Sequence, residues 1–385
     1  GGMEKTVIDA INSSGKPVIA VDIPSGIDGA TGKALGNAVH ALHTFTYAYP
    51  KLGQVLSPGA DHCGALTVID ISIPPFIEKE IGFDGEIADG AMIRGFLKRR
   101  LPSSHKGSFG HAVVVAGSPG KTGAAHMASL AALKIGAGLV TLVIPESLNA
   151  ILETKTTEVM TYPVTDDGRG FFTPGSFDEI AAFMEDKDVV IMGPGLSQNE
   201  GVMELARRMY REIDKPFVID ADGINAFRGH TPLLKKRGRK TVLTPHPGEL
   251  ARLIDRTPKE VNEDRTGAAL TSARAWGVNV LLKGAASVLA TPEGRMFLNP
   301  TGNPSLAKGG SGDILTGFIG GLASQGYSLT ESTLFGAYLH GYMADTWVEN
   351  HSDMDLLALD LVTGLGDAIE DIRNGTDRVY IERSL

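Results

Sequence analysis

Residues 303–313 read NPSLAKGGSGD and run directly into the apolar, glycine-punctuated stretch ILTGFIGGL at 314–322. Gly309, Gly310 and Gly312 stand just ahead of this helix-like segment. Unhindered backbone N–H groups and the helix dipole together favour an anion there. Asp313 breaks the pattern, because a carboxylate repels phosphate. A base that takes a proton from a hydroxyl lying beside a phosphoryl group would stand in that place. Asp is also a good helix cap, and the loop alone leaves both readings open.

Upstream, short apolar runs at 112–116, 139–144, 189–192, 217–219, 241–243 and 278–282 alternate with helical stretches. This rhythm predicts an α/β unit with a mostly parallel sheet and helices on both faces. Several runs end in polar or glycine-rich loops: GPGL at 193–196, DADGIN at 220–225, TPHPGE at 244–249 and KGAAS at 283–287. At the carboxyl ends of parallel strands, such loops would line one crevice. The loop GSPGKTGA at 117–124 lacks the Gly-Lys-Ser/Thr spacing of a Walker A loop. Its small residues instead let a substrate approach the backbone closely.

Within these loops, Lys283 offers a point charge to a phosphate, and Gly284 admits a nucleotide close to the main chain. His246, flanked by two prolines, is either a ligand contact or a structural hydrogen-bonding group. Asp220, Asp222 and Glu249 could hold Mg²⁺ through water; Asp222 and Glu249 could equally cap the helices that follow them. Two helical stretches, 333–348 and 356–372, close the chain, and His340 and Met343 read as packing residues.

Residues 1–80 form a separate, smaller unit, with a helix at 3–13 and strands at 18–21, 43–47 and 66–71. The strand at 18–21 reads as buried and ends in the acidic and hydroxyl-bearing stretch DIPSGID at 22–28. A doubly wound sheet needs several βα units of about 30 residues each, so only the tail of such a domain is expected here. Pro74 and Pro75 end the unit, 76–88 serve as linker, and the second unit runs from 88 to 385.

A net charge of -9 excludes a nucleic-acid surface, since no basic run exceeds residues 98–100 and 235–237. With 42% hydrophobic and 21% charged residues, the composition is that of a globular protein. No apolar run approaches the roughly 18 residues of a membrane span, and no signal segment opens the chain. Cys63 is the only cysteine, which fits a reducing compartment. A cytoplasmic location with no membrane partner is the expectation.

Read together and in order, KGSFGHAVVVAGS (106–118), GAGLVTLV (136–143), GPGL, VIDADGIN (218–225), TPHPGEL (244–250), KGAAS and NPSLAKGGSGDILTG (303–317) resemble the ribokinase-like ADP/ATP-dependent NAD(P)HX dehydratases. VDIPSGIDGATG (21–32) and TFTYAYPKLG (44–53) resemble the C-terminal part of the Rossmann-like NAD(P)HX epimerase domain found in bifunctional NAD(P)HX repair enzymes. The resemblance implies that Gly123, Ala124, Gly195, His246 and Asp313 contact the hydrated dinucleotide. It also implies that Lys283, Gly284, Ala285, Ala286, Ser287 and Gly312 contact ADP or ATP, with the Gly309, Gly310 and Ser311 amides and Mg²⁺ beside the transferred phosphoryl group.

The implied reaction repairs NADHX and NADPHX, reduced cofactors damaged by water addition. The S epimer is phosphorylated on its ring hydroxyl, with Asp313 as base, and phosphate is then eliminated. In the epimerase part, Asp22 would contact the dinucleotide and Ser25 would help bind K⁺. The family's upstream Asn-rich motif is absent from this sequence, which puts epimerase activity of this chain in question. A homo-oligomer, a tetramer in the family, is a further expectation. The competing readings are a ribokinase-like kinase of a vitamin hydroxymethyl group and a non-catalytic nucleotide-binding protein.

Overall fold

The computed structural model describes residues 2–83, 85–236 and 240–384. Gly1, Leu385 and Arg237 of the second basic cluster lie outside the described residues. The chain divides into two compact units, residues 1–89 with 378–385, and residues 90–377. Along the chain the strands are β1 (Ile19–Val21), β2 (His43–Tyr47), β3 (Ala65–Ile69), β4 (Glu86–Ile87), β5 (His111–Val115), β6 (Leu139–Pro145), β7 (Met160–Val164), β8 (Val189–Met192), β9 (Phe217–Ile219), β10 (Thr241–Leu243), β11 (Asn279–Leu282), β12 (Ser287–Ala290), β13 (Met296–Asn299) and β14 (Glu382–Ser384).

The first unit is a parallel sheet in the order β1-β2-β3-β14. Its last strand comes from the far end of the chain, where the sequence reading had continued the second unit. There the Thr67 hydroxyl donates to Glu382 Oε2 at 3.1 Å. β1 is half-exposed rather than buried: Ala20 faces inward, while Ile19 and Val21 are 63% and 66% exposed at the sheet edge. The expected linker holds a helix, Pro75–Ile81. Proline is compatible with a first helical position because its missing N–H would have no intrahelical acceptor there.

In the second unit the strands run β13-β12-β11-β10-β9-β8-β5-β6-β7. All neighbours are parallel from β11 to β7, and β11, β12 and β13 form an antiparallel meander. The chain leaves β5 toward β6 on one side and returns to β8 on the other, so the sheet's switch point lies between β5 and β8. Crevices at such points receive ligands in open α/β sheets. Register brings the strand ends level: Val115 pairs with Met192, Met192 with Ile219, and Ile219 with Leu243. The four following loops therefore emerge along one edge of the sheet.

The central strands are sealed on both faces, with Val113, Val190, Ile191, Val218, Ile219 and Val242 at 0% exposure. This is why they read as unbroken apolar runs. The helix Ser311–Ser324 packs against the helix Thr122–Lys134 through a glycine stripe. A Cβ on Gly317 would sit 2.3 Å from the Ala128 carbonyl oxygen, and one on Gly321 would sit 2.4 Å from that of Ala132. Only glycine permits this backbone approach, and the approach sets where Asp313 stands.

Candidate active site

At the switch point, the loop after β5 and the loop after β8 are joined directly. The Gly117 amide donates to the Pro194 carbonyl at 3.0 Å, and the Ser118 hydroxyl to the Gly195 carbonyl at 2.7 Å. Gly123 is the second residue of the helix beside them, with open space where a side chain would project, and Ala124 follows it half-buried. Lys121, from the same loop, donates to Asp222 Oδ2 at 2.9 Å. Asp222 also accepts from the Ser197 amide at 3.0 Å and from Gln198 Nε2 at 3.1 Å. Burial works against its carboxylate, but these partners, Lys121 foremost, hold it ionised below the usual range. Loops from β5, β8 and β9 thus form one polar wall.

Next along the crevice lies a buried charge network. Asp220 Oδ1 accepts the Lys283 ammonium at 2.6 Å and the Thr244 hydroxyl at 2.8 Å. Its Oδ2 accepts the Thr316 hydroxyl at 2.9 Å. Burial opposes the charge on Lys283, yet the Asp220 and Glu249 carboxylates raise its basicity, so it stays an ammonium. Asp313 stands on the first turn of the Ser311–Ser324 helix. Burial, reinforced by the Asp220 carboxylate, pushes its carboxyl up to about 7 against the opposing pull of Lys283. A carboxyl poised near neutrality suits a general base.

His246 caps the helix Pro247–Leu253 with its own ring. Its Nδ1 accepts from the Gly248 amide at 3.0 Å and the Glu249 amide at 3.3 Å, so the proton of the neutral ring is on Nε2. Burial and then Lys283 keep this imidazole below its usual pKa, hence neutral. The side chain is still 52% exposed, and its Nε2 lies 3.5 Å from Glu249 Oε1. Glu249 completes the capping box by accepting the His246 amide at 2.8 Å. For both residues the structure shows the capping alternative.

After β11, residues Lys283, Gly284, Ala285, Ala286 and Ser287 turn tightly into β12. Ala286 has φ 49° and Gly284 φ 146°. A Cβ on Gly284 would meet the Arg265 guanidinium at 2.3 Å. Arg265 Nη2 donates to the carbonyls of Leu282 at 3.3 Å and Ala286 at 3.4 Å, bracing the turn from beneath. Gly312 closes the circle: a Cβ there would lie 3.5 Å from Lys283 Nζ and 3.7 Å from Asp220 Oδ2.

The fold therefore gathers the loops of the second unit that carry Gly123, Ala124, Gly195, His246, Lys283 to Ser287, and Gly309 to Asp313. Asp22 and Ser25 belong to the first unit. There Asp22, at φ 64°, accepts from Lys51 Nζ and from the Thr46 hydroxyl at 3.2 Å, and the Ser25 carbonyl accepts the Val39 amide at 2.9 Å. Sequence reasoning missed Thr316, Lys121 and Arg265. Thr316 carried a signal, as the lone polar residue in ILTGFIGGL, three positions beyond Asp313.

The family described as NAD(P)H-hydrate dehydratase matches residues 112–365, and the one described as YjeF-related protein N-terminus matches residues 2–53. The bifunctional NAD(P)H-hydrate repair enzyme Nnr of Moorella thermoacetica is 40% identical over 378 residues, covering 98% of this chain and 71% of that protein. The crystal structure of the ADP/ATP-dependent NAD(P)H-hydrate dehydratase from Bacillus subtilis, co-crystallised with ATP/Mg²⁺, aligns with TM-score 0.65 and 30% identity over 76% of this chain and 100% of that one. A ribokinase-like superfamily protein from Enterococcus faecalis aligns with TM-score 0.66 at 23% identity, over 76% of this chain and 97% of that one, which speaks to the fold alone. The matched residues 112–365 contain every loop of the crevice just described, and the chain belongs to the NAD(P)H-hydrate dehydratase family.

Proposed function

We propose that the second unit dehydrates the S epimer of NADHX and NADPHX to NADH and NADPH, using ADP or ATP. The observation that carries this reading is Asp313, a buried carboxyl held near neutrality at the mouth of a glycine-rich helix start, beside the Lys283 ammonium. Asp313 removes the proton from the ring hydroxyl as its oxygen attacks the terminal phosphoryl group. The amides of Gly309, Gly310, Ser311 and Gly312 receive the charge that develops on that group. Phosphate leaves more readily than hydroxide, so elimination then restores the dihydronicotinamide ring.

The dinucleotide is proposed to lie over Gly123, Ala124 and Gly195 with its polar groups toward His246. The adenine nucleotide is proposed to lie against residues 283–287 and Gly312. Among the described residues no group of three or more His, Cys, Asp or Glu side chains could hold a metal ion, and Asp220 and Asp222 are already engaged by Lys283 and Lys121. If Mg²⁺ is used, it would be held chiefly by the nucleotide phosphates, and Glu249, which accepts the His246 amide at 2.8 Å, would be the carboxylate closest in role to a water-mediated contact. When bound, the ion neutralises phosphate charge. Asp22 and Ser25 are carried as the dinucleotide and K⁺ contacts of an epimerase-type site in the first unit. A homotetramer belongs to the same proposal. Among the described residues no helix is long and apolar enough to cross a bilayer.

The test is recovery of the absorbance of reduced nicotinamide when the chain is given NADHX with ADP or ATP in parallel, each epimer separately. Recovery from the S epimer supports the reading. Failure with both nucleotides, together with stable phosphorylation of another alcohol, would replace it with a small-molecule kinase.

A further inference from the structure

The helix carrying Asp313 begins without a capping side chain. Its cap is Gly310, in the left-handed region at φ 97°, and no side chain accepts from the first turn. An ordinary Ser, Thr or Asp cap would occupy one of those N–H groups. Leaving the cap out keeps the N–H groups for an anion, but it also removes the usual anchor of the turn. The anchoring is instead done on carbonyl and hydroxyl groups. Ser311 Oγ donates to the Leu306 carbonyl at 2.8 Å, and His340 Nε2 lies 2.9 Å from the Ser311 carbonyl oxygen. A carbonyl can only accept, so Nε2 carries the proton.

His340 sits in the long helix Leu329–Trp347, 7% exposed. The same helix also grips the start of the loop. Asp345 accepts the Gly302 amide at 2.8 Å and Asn303 Nδ2 at 2.9 Å, and the Tyr338 carbonyl accepts the Thr301 hydroxyl at 3.1 Å. Both ends of the segment 302–311 are therefore fixed to one rigid element. Of these contacts, His340 is the one made to the turn that bears Asp313.

We infer that His340 is a positioning residue for Asp313: by donating to the Ser311 carbonyl it fixes the base-bearing turn while leaving the turn's N–H groups free for the transferred phosphoryl group. The inference rests on the dehydratase reading. Burial holds the imidazole down at about 4, with Lys283 also disfavouring its charge, so the ring remains a neutral donor throughout the neutral range. Packing alone would be satisfied by an apolar side chain of similar size; this role needs the N–H.

The experiment compares His340→Leu, which keeps bulk and loses the donor, with His340→Gln, whose amide nitrogen can reach the same carbonyl. Each full-length variant is measured for kcat, for KM of both substrates, and for amide hydrogen exchange at residues 310–315. Misplacement of a catalytic group costs about ten- to a hundredfold in rate. The expected result is a kcat loss of that size in His340→Leu, nucleotide KM within about twofold, faster exchange confined to residues 310–315, and recovery of kcat and exchange protection in His340→Gln. Unchanged kcat and exchange in His340→Leu, or exchange raised throughout the second unit in both variants, would overturn the inference. If the parent chain does not act on NADHX, the functional reading fails, and the exchange pattern alone still decides whether His340 holds the turn.

Discussion

The Asp220 carboxylate and the Lys283 ammonium meet at 2.6 Å inside the second unit, with their side chains only 3% and 19% exposed. This pair joins the end of β9 to the end of β11. It also sets the field around Asp313, because Asp220 raises the basicity of that carboxyl while Lys283 lowers it. Structure and chemistry are coupled through it.

Replacing Lys283 with Met leaves Asp220 as an uncompensated buried charge, a change that costs about 3–5 kcal/mol. Denaturant unfolding should show that loss in Lys283→Met. Adding Asp220→Asn should restore most of the stability, since no unpaired charge then remains, but not nucleotide affinity. Full recovery of affinity in the double variant would remove Lys283 from the nucleotide site.

Asp313 sets a pH dependence of defined sign. The base must be ionised to act, so kcat/KM should rise with pH through about 7 and then level off. Stability moves the other way. The folded carboxyl titrates near 7 and the unfolded one near its ordinary 3.8, so the native state keeps a proton that the unfolded state releases between those values. Stability from this group is fully present below the lower value and is lost as pH rises through the upper one. Asp313→Asn should abolish turnover, retain nucleotide binding, and flatten that portion of a stability–pH curve.

The capping by His246 and its proposed contact with the dinucleotide can be separated by substitution. His246→Ala removes the acceptor for the Gly248 and Glu249 amides and should cost about 1 kcal/mol, as other lost caps do. His246→Asn keeps a cap but removes the imidazole ring and its Nε2. Its stability should match the parent within error, while KM for the hydrated dinucleotide rises severalfold. Equal KM in parent and Asn variant would confine His246 to capping.

Gly317→Ala places a methyl group 2.3 Å from the Ala128 carbonyl oxygen, which forces the two packed helices apart. Overpacking of this kind costs about 1–3 kcal/mol. The displacement also moves Asp313, one turn away, so kcat should fall at temperatures where the variant is still folded. A thermal melt run beside the activity assay checks both effects.

Much of the fold was legible because sealed parallel strands must be continuous apolar runs, and β8, β9 and β10 match their expected bounds. β7 escaped notice because MTYPV carries Pro163, acceptable only on an edge strand such as this one. The hairpin β12–β13 was also missed, although Gly294 at φ 92° marks its turn and short unbroken apolar runs flank it. The last strand could not be foreseen at all, since β14 completes a sheet whose other members lie more than 300 residues upstream.

The sequence by itself determined which loops are the candidates for the chemistry, because glycine spacing, the paired prolines around His246 and the Lys-Gly turn are local properties of the chain. It left Asp313 between base and cap, and Asp220 and Glu249 between metal ligands and structural groups. Only the tertiary structure supplies the burial and the charged neighbours on which the proposed roles rest. The proton affinity of Asp313 comes from burial and from charges on loops 93 and 30 residues away, at Asp220 and Lys283. Those distances in sequence collapse only when the glycine stripe of its helix seats against Thr122–Lys134.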